Sequence, residues 1–254
     1  MANWSHEYYR SRLRGLDLQV YDAILRGWRS CSPEVVMPSG VTPSYNATPI
    51  LEYVAFDHPE IFWVNYFTYH MLERAIMGRT IDMRAQFNYF CQGSEMRGMQ
   101  RDAEQWRQRI LSQIDPGRRT RDKVWMLYDY LSRQVTYGEK GYAQSHTIIG
   151  CMLPKNHVSV CEGISKGFKF LCDGLDLPCI TVVGHAGEAT GDPTVYHAWN
   201  IVQVSDGLRH LDVTGELTRA HADGIAPRSG FLHSDDEMRQ YHYRWNTANI
   251  PACR

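Results

Sequence analysis

A chain of 254 residues with 43% hydrophobic and 22% charged residues carries enough apolar surface for one large domain, or for a core with a smaller attached layer, and excludes a disordered chain. Its 27 basic and 28 acidic residues nearly cancel, to a net charge of −1, which excludes the broad basic face that nonspecific nucleic-acid binding requires. No apolar run approaches the ~18–20 residues of a bilayer span, and the first residues lack the apolar stretch of a signal peptide, so the expectation is a cytoplasmic protein with no membrane partner.

Leu13, Leu16, Val20, Ile24 and Trp28 fall at three- and four-residue steps, which predicts one amphipathic helix over Tyr8–Trp28. Four prolines between Cys31 and Pro49 break the periodicity, and the aromatic and β-branched content of Ile50–Phe90 then predicts strands. Helical spacing returns over Arg101–Ile114 and Thr120–Val135, with Asp115-Pro116-Gly117 as the turn between them. Val158-Ser159-Val160 reads as a short extended approach to a helix that runs to Leu171 and stops near Asp173-Gly174. Cys179–Gly184, Tyr196–Val204 and Leu208–Thr214 read as three strands, the last two forming a hairpin across Ser205-Asp206-Gly207. The pattern divides into a helical and β extension over residues 1–95 and a core over residues 96–254. Seven cysteines are an odd count in a long chain, and most are expected to be buried thiols rather than parts of a disulfide framework.

Cys161 opens the predicted helix, where the positive end of the helix dipole and the unpaired amides favour a thiolate and can hold an oxyanion. Taken alone, a cysteine there is most often a small apolar residue at the start of a core helix. His197 at the start of one predicted strand and Asp212 on the next add a base and its orienter, the makings of a Cys-His-Asp triad. If Asp206-Gly207 were the two-residue turn, residue 197 would pair with residue 216, and Asp212 would share its face from four residues away, so a bulge or shear is expected to close the gap.

Val160-Cys161-Glu162-Gly163, His197-Ala198-Trp199-Asn200 and Asp212-Val213-Thr214 resemble the three signature blocks of the transglutaminase-like superfamily, in the same order. His146-Thr147-Ile148-Ile149-Gly150, Asp57-His58-Pro59-Glu60-Ile61-Phe62-Trp63 and the tail with Ser234-Asp235, Trp245 and Pro251-Ala252-Cys253 are similar to the bacterial subgroup. The resemblance implies an α+β fold, a papain-like transglutaminase core whose nucleophile helix packs on an antiparallel sheet, with Cys161 as nucleophile, His197 as base and Asp212 orienting His197. The sequence departs from animal members in having no dense acidic loop like their calcium sites, so calcium dependence is not carried over, and no cofactor or metal is expected. The Cys161 N–H is one expected oxyanion donor; Gln144, His146 and Asn156 are the candidates for a side-chain partner.

Trp63, Trp199 and His185 are candidates for the walls of a substrate cleft, although the two tryptophans serve equally well as core and His185 as a loop residue between strands. Gly163-Ile164-Ser165-Lys166-Gly167 matches the G-x-S-x-G of a serine hydrolase elbow, but that elbow needs a strand running into Ser165 where a helix is expected. The function expected is cysteine-dependent acyl transfer at a peptide or protein amide through a Cys161 thioester, with a primary amine as acceptor. The alternatives are a peptidase or deamidase using the same triad with water, and a binding module whose triad is vestigial.

Overall fold

The computed structural model describes residues 6–138, 142–153, 158–186, 195–215, 217 and 230–254. It is an α+β structure with two antiparallel sheets. The chain forms two compact units, Glu7–Asp102 and Ala103–Arg254, the second also taking in His6; helix α4 (Gly93–Leu111) carries the chain from one to the other.

In the first unit the expected single N-terminal helix is broken in two, α1 (Tyr8–Arg12) and α2 (Gly15–Arg29). The break falls at Gly15, whose φ of +56° suits a residue without Cβ. The Asp57 carboxylate accepts from the Tyr9 and Arg10 amides and from the Tyr21 hydroxyl, capping the first turn of α1. The expectation of strands from Ile50 onward is corrected for its first part: Thr48–Asp57 is helix α3, started by a proline in its first turn. Ile50, Leu51, Val54, Ala55 and Phe56 are all buried, and burial at helical spacing overrides their β-branched and aromatic character. Beyond it the expected strands are present, β2 (Val64–Ile76) and β3 (Arg79–Tyr89); β1 (Glu34–Val36), which precedes α3 in the proline-broken stretch and was not expected, joins them in the order β1-β3-β2.

The second unit is built on a buried helix, α8 (Cys161–Asp173), whose residues Glu162 to Cys172 are all buried. A helix buried all round must be covered on every side. The sheet of β4 (Cys179–Ala186), β5 (Val195–Val204), β6 (Gly207–Leu211), β7 (Phe231–His233) and β8 (Arg244–Trp245) lies against it in the order β7-β6-β5-β4-β8. Helices α5 (Thr120–Gln134) and α7 (Ile149–Met152) also pack on it; α6 (Tyr142–Ser145) precedes α7, and α9 (Asp235–Gln240) follows β7 with a Ser234–Glu237 capping box. Asn200 on β5 fastens helix to sheet, its Nδ2 donating to the Ser165 carbonyl of α8 (3.0 Å) and the Ile180 carbonyl of β4 (3.2 Å).

The first turn of α8 is pressed against the 145–147 segment. A Cβ at Gly163 would lie 2.3 Å from the Ser145 carbonyl oxygen, 2.4 Å from Ser159 Oγ and 2.6 Å from the Thr147 carbonyl oxygen, so only glycine fits there. Glu162 and Lys166, one turn apart and both buried, form an ion pair, and Glu162 also meets His146 Nδ1 at 2.8 Å. Burial works to raise the Glu162 carboxyl, but the Lys166 charge and the His146 hydrogen bond outweigh it and hold it at about 2.

Two outcomes follow from this packing. Gly163→Ala is expected to destabilise the protein by about 1–3 kcal/mol in chemical denaturation and to displace the start of α8, lowering the reactivity of Cys161. Because the Glu162 carboxyl titrates near 2 in the folded chain against an ordinary 4.5, the stability it contributes is complete above pH 4.5 and is lost as pH falls toward 2. Glu162→Gln, which removes the counter-charge of the buried Lys166, is expected to cost about 3–5 kcal/mol at neutral pH and to flatten the acid limb of a stability-against-pH curve.

Candidate active site

The extended approach to α8 is held by neighbouring backbone. The Val160 amide donates to the Ser145 carbonyl at 3.1 Å, the Ser159 amide to the Thr136 carbonyl at 3.0 Å, and Tyr137 forms a parallel bridge with Ser159. Val160 is extended (φ −92°, ψ 175°) and serves as N-cap, so Cys161 stands as the first helical residue, at the positive end of a 13-residue helix. Cys161 is half-buried, as is Cys31, whereas Cys91, Cys151, Cys172, Cys179 and Cys253 are buried.

His197 lies near the start of β5. Its Nε2 is 2.9 Å from Asp212 Oδ2, and the Cys161 thiol is near enough to help raise its pKa; with Nε2 committed to the carboxylate, Nδ1 is the nitrogen left for the thiol. The hairpin register differs from the one expected. Val204 pairs with Gly207 and Asn200 with Leu211, without irregularity, so the two-residue turn is Ser205-Asp206, not Asp206-Gly207. That register sets residue 212 across from Trp199, two residues from His197 rather than four, and no bulge is needed. The strand is also shorter than expected, ending at Leu211. There the chain turns away, with the Asp212 amide donating to the Gly230 carbonyl at 2.7 Å.

The Asp212 carboxylate collects donors. Oδ2 accepts from His197 and from the Tyr243 hydroxyl, and Oδ1 accepts from the Thr214 amide at 2.9 Å. Burial pushes its pKa up, yet the His197 charge and hydrogen bond, with the Tyr243 and Gly215 hydrogen bonds, bring the net shift down. For His197 burial works downward, but the Asp212 charge and hydrogen bond and the Cys161 thiol carry its pKa up to about 10. Both neighbours therefore favour the charged form of this imidazole.

The other residues singled out from sequence fall as follows. His146 is brought to the first turn of α8, but its Nδ1 is taken by Glu162 and its carbonyl accepts from Lys166 Nζ. Gln144 is half-buried in α6, where its carbonyl accepts from the Thr147 amide and hydroxyl. Asn156 lies outside the described residues. Trp63 is buried in the first unit, its indole N–H donating to the Trp28 carbonyl at 3.0 Å, a core placement and not a cleft wall. Trp199 has no exposed surface either; its ring runs nearly parallel to that of His197, with centroids 6.1 Å apart at 18°, and forms a floor behind the imidazole. His185 is exposed, but it pairs with Tyr196 while Gly184 pairs with His197, and the alternation of side chains along a strand sends it to the opposite sheet face from His197. Ser165 lies in the second turn of α8 with its hydroxyl bonded to the Cys161 carbonyl at 2.8 Å, which removes the serine elbow.

Sequence reasoning missed Tyr243. It approaches Asp212 from 31 positions away on the short strand β8 side of the tail, and no motif marks it. Asn200 stood inside a quoted block, but its helix-to-sheet role is visible only in three dimensions.

Among the described residues one group of metal-capable side chains lies close together, His210, Asp235 and Cys253, with ligand atoms within 4.8 Å of one another. Its chemistry does not suit a cation. The Trp199 indole, which can only donate, meets His210 Nδ1 at 2.9 Å, so Nδ1 accepts and Nε2 carries the proton offered to Asp235 Oδ1 at 2.9 Å. Neither ring nitrogen keeps a lone pair for a metal, and burial lowers the His210 pKa and raises that of the Cys253 thiol. No described helix is long and apolar enough to cross a membrane.

No family model and no curated protein matches the chain. Among solved structures, a TGase is similar over 57% of this chain and 44% of its own, at 18% identity and a TM-score of 0.39. A candidate cysteine protease from Cytophaga hutchinsonii is similar over 74% of this chain and 70% of its own, at 11% identity and a TM-score of 0.36. A candidate protease from Parabacteroides distasonis covers 57% of this chain and 35% of its own, at 8% identity and a TM-score of 0.30. This chain thus spans under half the length of the TGase.

Proposed function

We propose that the protein is a cysteine-dependent acyltransferase acting on a peptide or protein amide. The observation that carries this reading is the His197 ring bonded to the buried Asp212 carboxylate at 2.9 Å, with the Cys161 thiol near enough to help raise its pKa. A thiol at a helix start beside an imidazolium is placed to ionise and attack. In the reaction so read, Cys161 Sγ adds to the amide carbonyl carbon while first-turn amides of α8 stabilise the oxyanion, with His146 or Gln144 as side-chain candidates. His197 gives its proton to the departing amine as the carbon–nitrogen bond breaks, leaving a thioester on Cys161. An acceptor amine then attacks the thioester, His197 takes its proton, and the thiolate leaves with the new amide formed. Asp212 keeps the imidazole oriented and its charge balanced throughout.

Water in place of the amine gives the second reading, a deamidase or peptidase. The chain has 22 arginines and 5 lysines. A shortage of lysine limits self-modification in an enzyme that joins acyl groups to lysine amines, and it favours the transferase by a narrow margin only. The reading as a binding module with a vestigial triad is the weaker one, because such a module has no need of a paired imidazolium next to a half-buried cysteine.

Limited treatment with iodoacetamide followed by peptide mapping is expected to label Cys161 before the other six thiols. Cys151 is pushed up by burial to about 12, Cys172 and Cys253 are also raised by burial, and Cys31 and Cys91 less so. First labelling at Cys31 with Cys161 inert overturns the nucleophile assignment.

With a glutamine-containing peptide and a primary amine as substrates, mass spectrometry is expected to find the amine adduct. The mass gain of an amide-to-acid conversion identifies a deamidase, and backbone cleavage without adduct identifies a peptidase. Cys161→Ala and His197→Ala are each expected to lower the rate by on the order of 10³-fold or more, with the double variant little worse than either, and Asp212→Ala to be milder. Activity retained in Cys161→Ala overturns every thioester reading.

A further inference from the structure

The C-terminal segment ends its approach to the sheet at Asp212. The chain leaves α9, takes a positive φ of +66° at His242, bonds the Tyr243 amide to the Met238 carbonyl at 3.1 Å, and then forms β8 against β4. That docking is close: a Cβ on Gly184 would lie 2.2 Å from the Arg244 carbonyl oxygen, so the strand seats only against glycine. Tyr243 is thereby turned inward. Its ring stands edge-on to Trp199 (5.3 Å, 84°) and to His197 (5.9 Å, 67°), and its hydroxyl donates to Asp212 Oδ2, the oxygen that also meets His197 Nε2.

We propose that Tyr243 is a positioning residue for the Cys161–His197–Asp212 group: its hydroxyl fixes the Asp212 carboxylate against His197 and draws off part of the charge on the shared oxygen, so that the imidazolium stays able to give up its proton. This rests on the reading of the site under Proposed function. The physics is a competition for one acceptor. A carboxylate oxygen that serves two donors holds each less tightly than one that serves a single donor. Without the phenol, the full charge on Oδ2 faces His197, the imidazolium is held more firmly, and proton delivery to a departing amine becomes harder.

Among the described residues, the titratable groups facing His197 are Asp212 from the end of β6, Cys161 from α8 and Tyr243 from the tail. His210 lies behind Trp199, uncharged because its nitrogens are committed to Trp199 and Asp235. On β4, Gly184 is opposite His197 and His185 faces away. Among the described residues Asp212 also draws on the backbone amides of Thr214 and Gly215. No other charge in this set competes with the tyrosine for the carboxylate.

The test needs no substrate. The rate of Cys161 alkylation by iodoacetamide, followed against pH by peptide mapping of the whole protein, is expected to have two inflections, a lower one where the thiolate–imidazolium pair forms and an upper one where the imidazolium loses its proton. Tyr243→Phe keeps the ring and is expected to move the upper inflection upward by on the order of half a unit to one unit, with the thermal midpoint little changed. Tyr243→Gln, which keeps a donor and loses the ring, is expected to lower the thermal midpoint and leave the inflection near its original position. The shift is expected to vanish in an Asp212→Ala background. Should Tyr243→Phe fail to fold, Tyr243→Gln against Tyr243→Met carries the same comparison. Two inflections unmoved by Tyr243→Phe, or a shift that persists without Asp212, overturn this inference and leave the proposed function standing. A single ordinary thiol inflection in the unaltered protein overturns both.

Discussion

An imidazolium and a carboxylate taken out of water lose several kcal/mol of hydration each, and His197 and Asp212 keep only 7% and 1% of their surface exposed. That pair can exist only if every remaining lone pair and proton is met, and the second unit is arranged to meet them. β6 stops at Leu211, which frees the next side chain to turn toward backbone amides that a continued strand would have used in its ladder. Trp199 closes off the far side of the imidazole. The indole N–H in turn fixes His210 as a neutral tautomer, so no second positive ring stands one layer behind the first.

A second buried charge group lies on the same helix. Glu162 adjoins Cys161 in sequence, and an uncompensated carboxylate there would oppose a thiolate beside it. Lys166 and His146 take up that charge on the side of α8 pressed against the 145–147 segment. Both groups require α8 to sit close to its neighbours, the one through the glycine contact at 163, the other through Asn200, which joins the helix to β4 and β5 at once. A nucleophile needs this kind of support because a displacement of about 1 Å is enough to misalign reacting atoms.

Much of this was legible in the sequence. The helix from Cys161 and the strands around residues 180, 200 and 210 follow from periodicity and turn chemistry, which are local, while the α+β class comes from the resemblance of the three motif blocks. Helix α3 was misread because Ile50, Val54 and Phe56 have the composition of a strand, and their burial at helical spacing beside half-buried Glu52 and Tyr53 is visible only in the fold. The hairpin register was misplaced by a shift of the turn from Asp206-Gly207 to Ser205-Asp206; Gly207 adopts φ +122° and so looks like a turn residue while it pairs with Val204. Trp63 and Trp199 could not be separated from cleft residues, since aromatic content is the same in a wall and in a core. Tyr243 left no trace because it stands between Tyr241 and Trp245 with nothing in the sequence to single it out, and its contact is a product of β8 docking.

The order of these residues along the chain has a consequence for biosynthesis. A ribosome delivers Cys161 first, then His197, then Asp212, and Tyr243 last of the four, and domains take shape roughly in the order in which they emerge. Cys161 therefore emerges before the groups that surround it, and its surroundings are complete only when the sheet has closed and the tail has docked. A chain cut before Tyr243 keeps Cys161, His197 and Asp212 in sequence but loses the hydroxyl that bonds the Asp212 carboxylate.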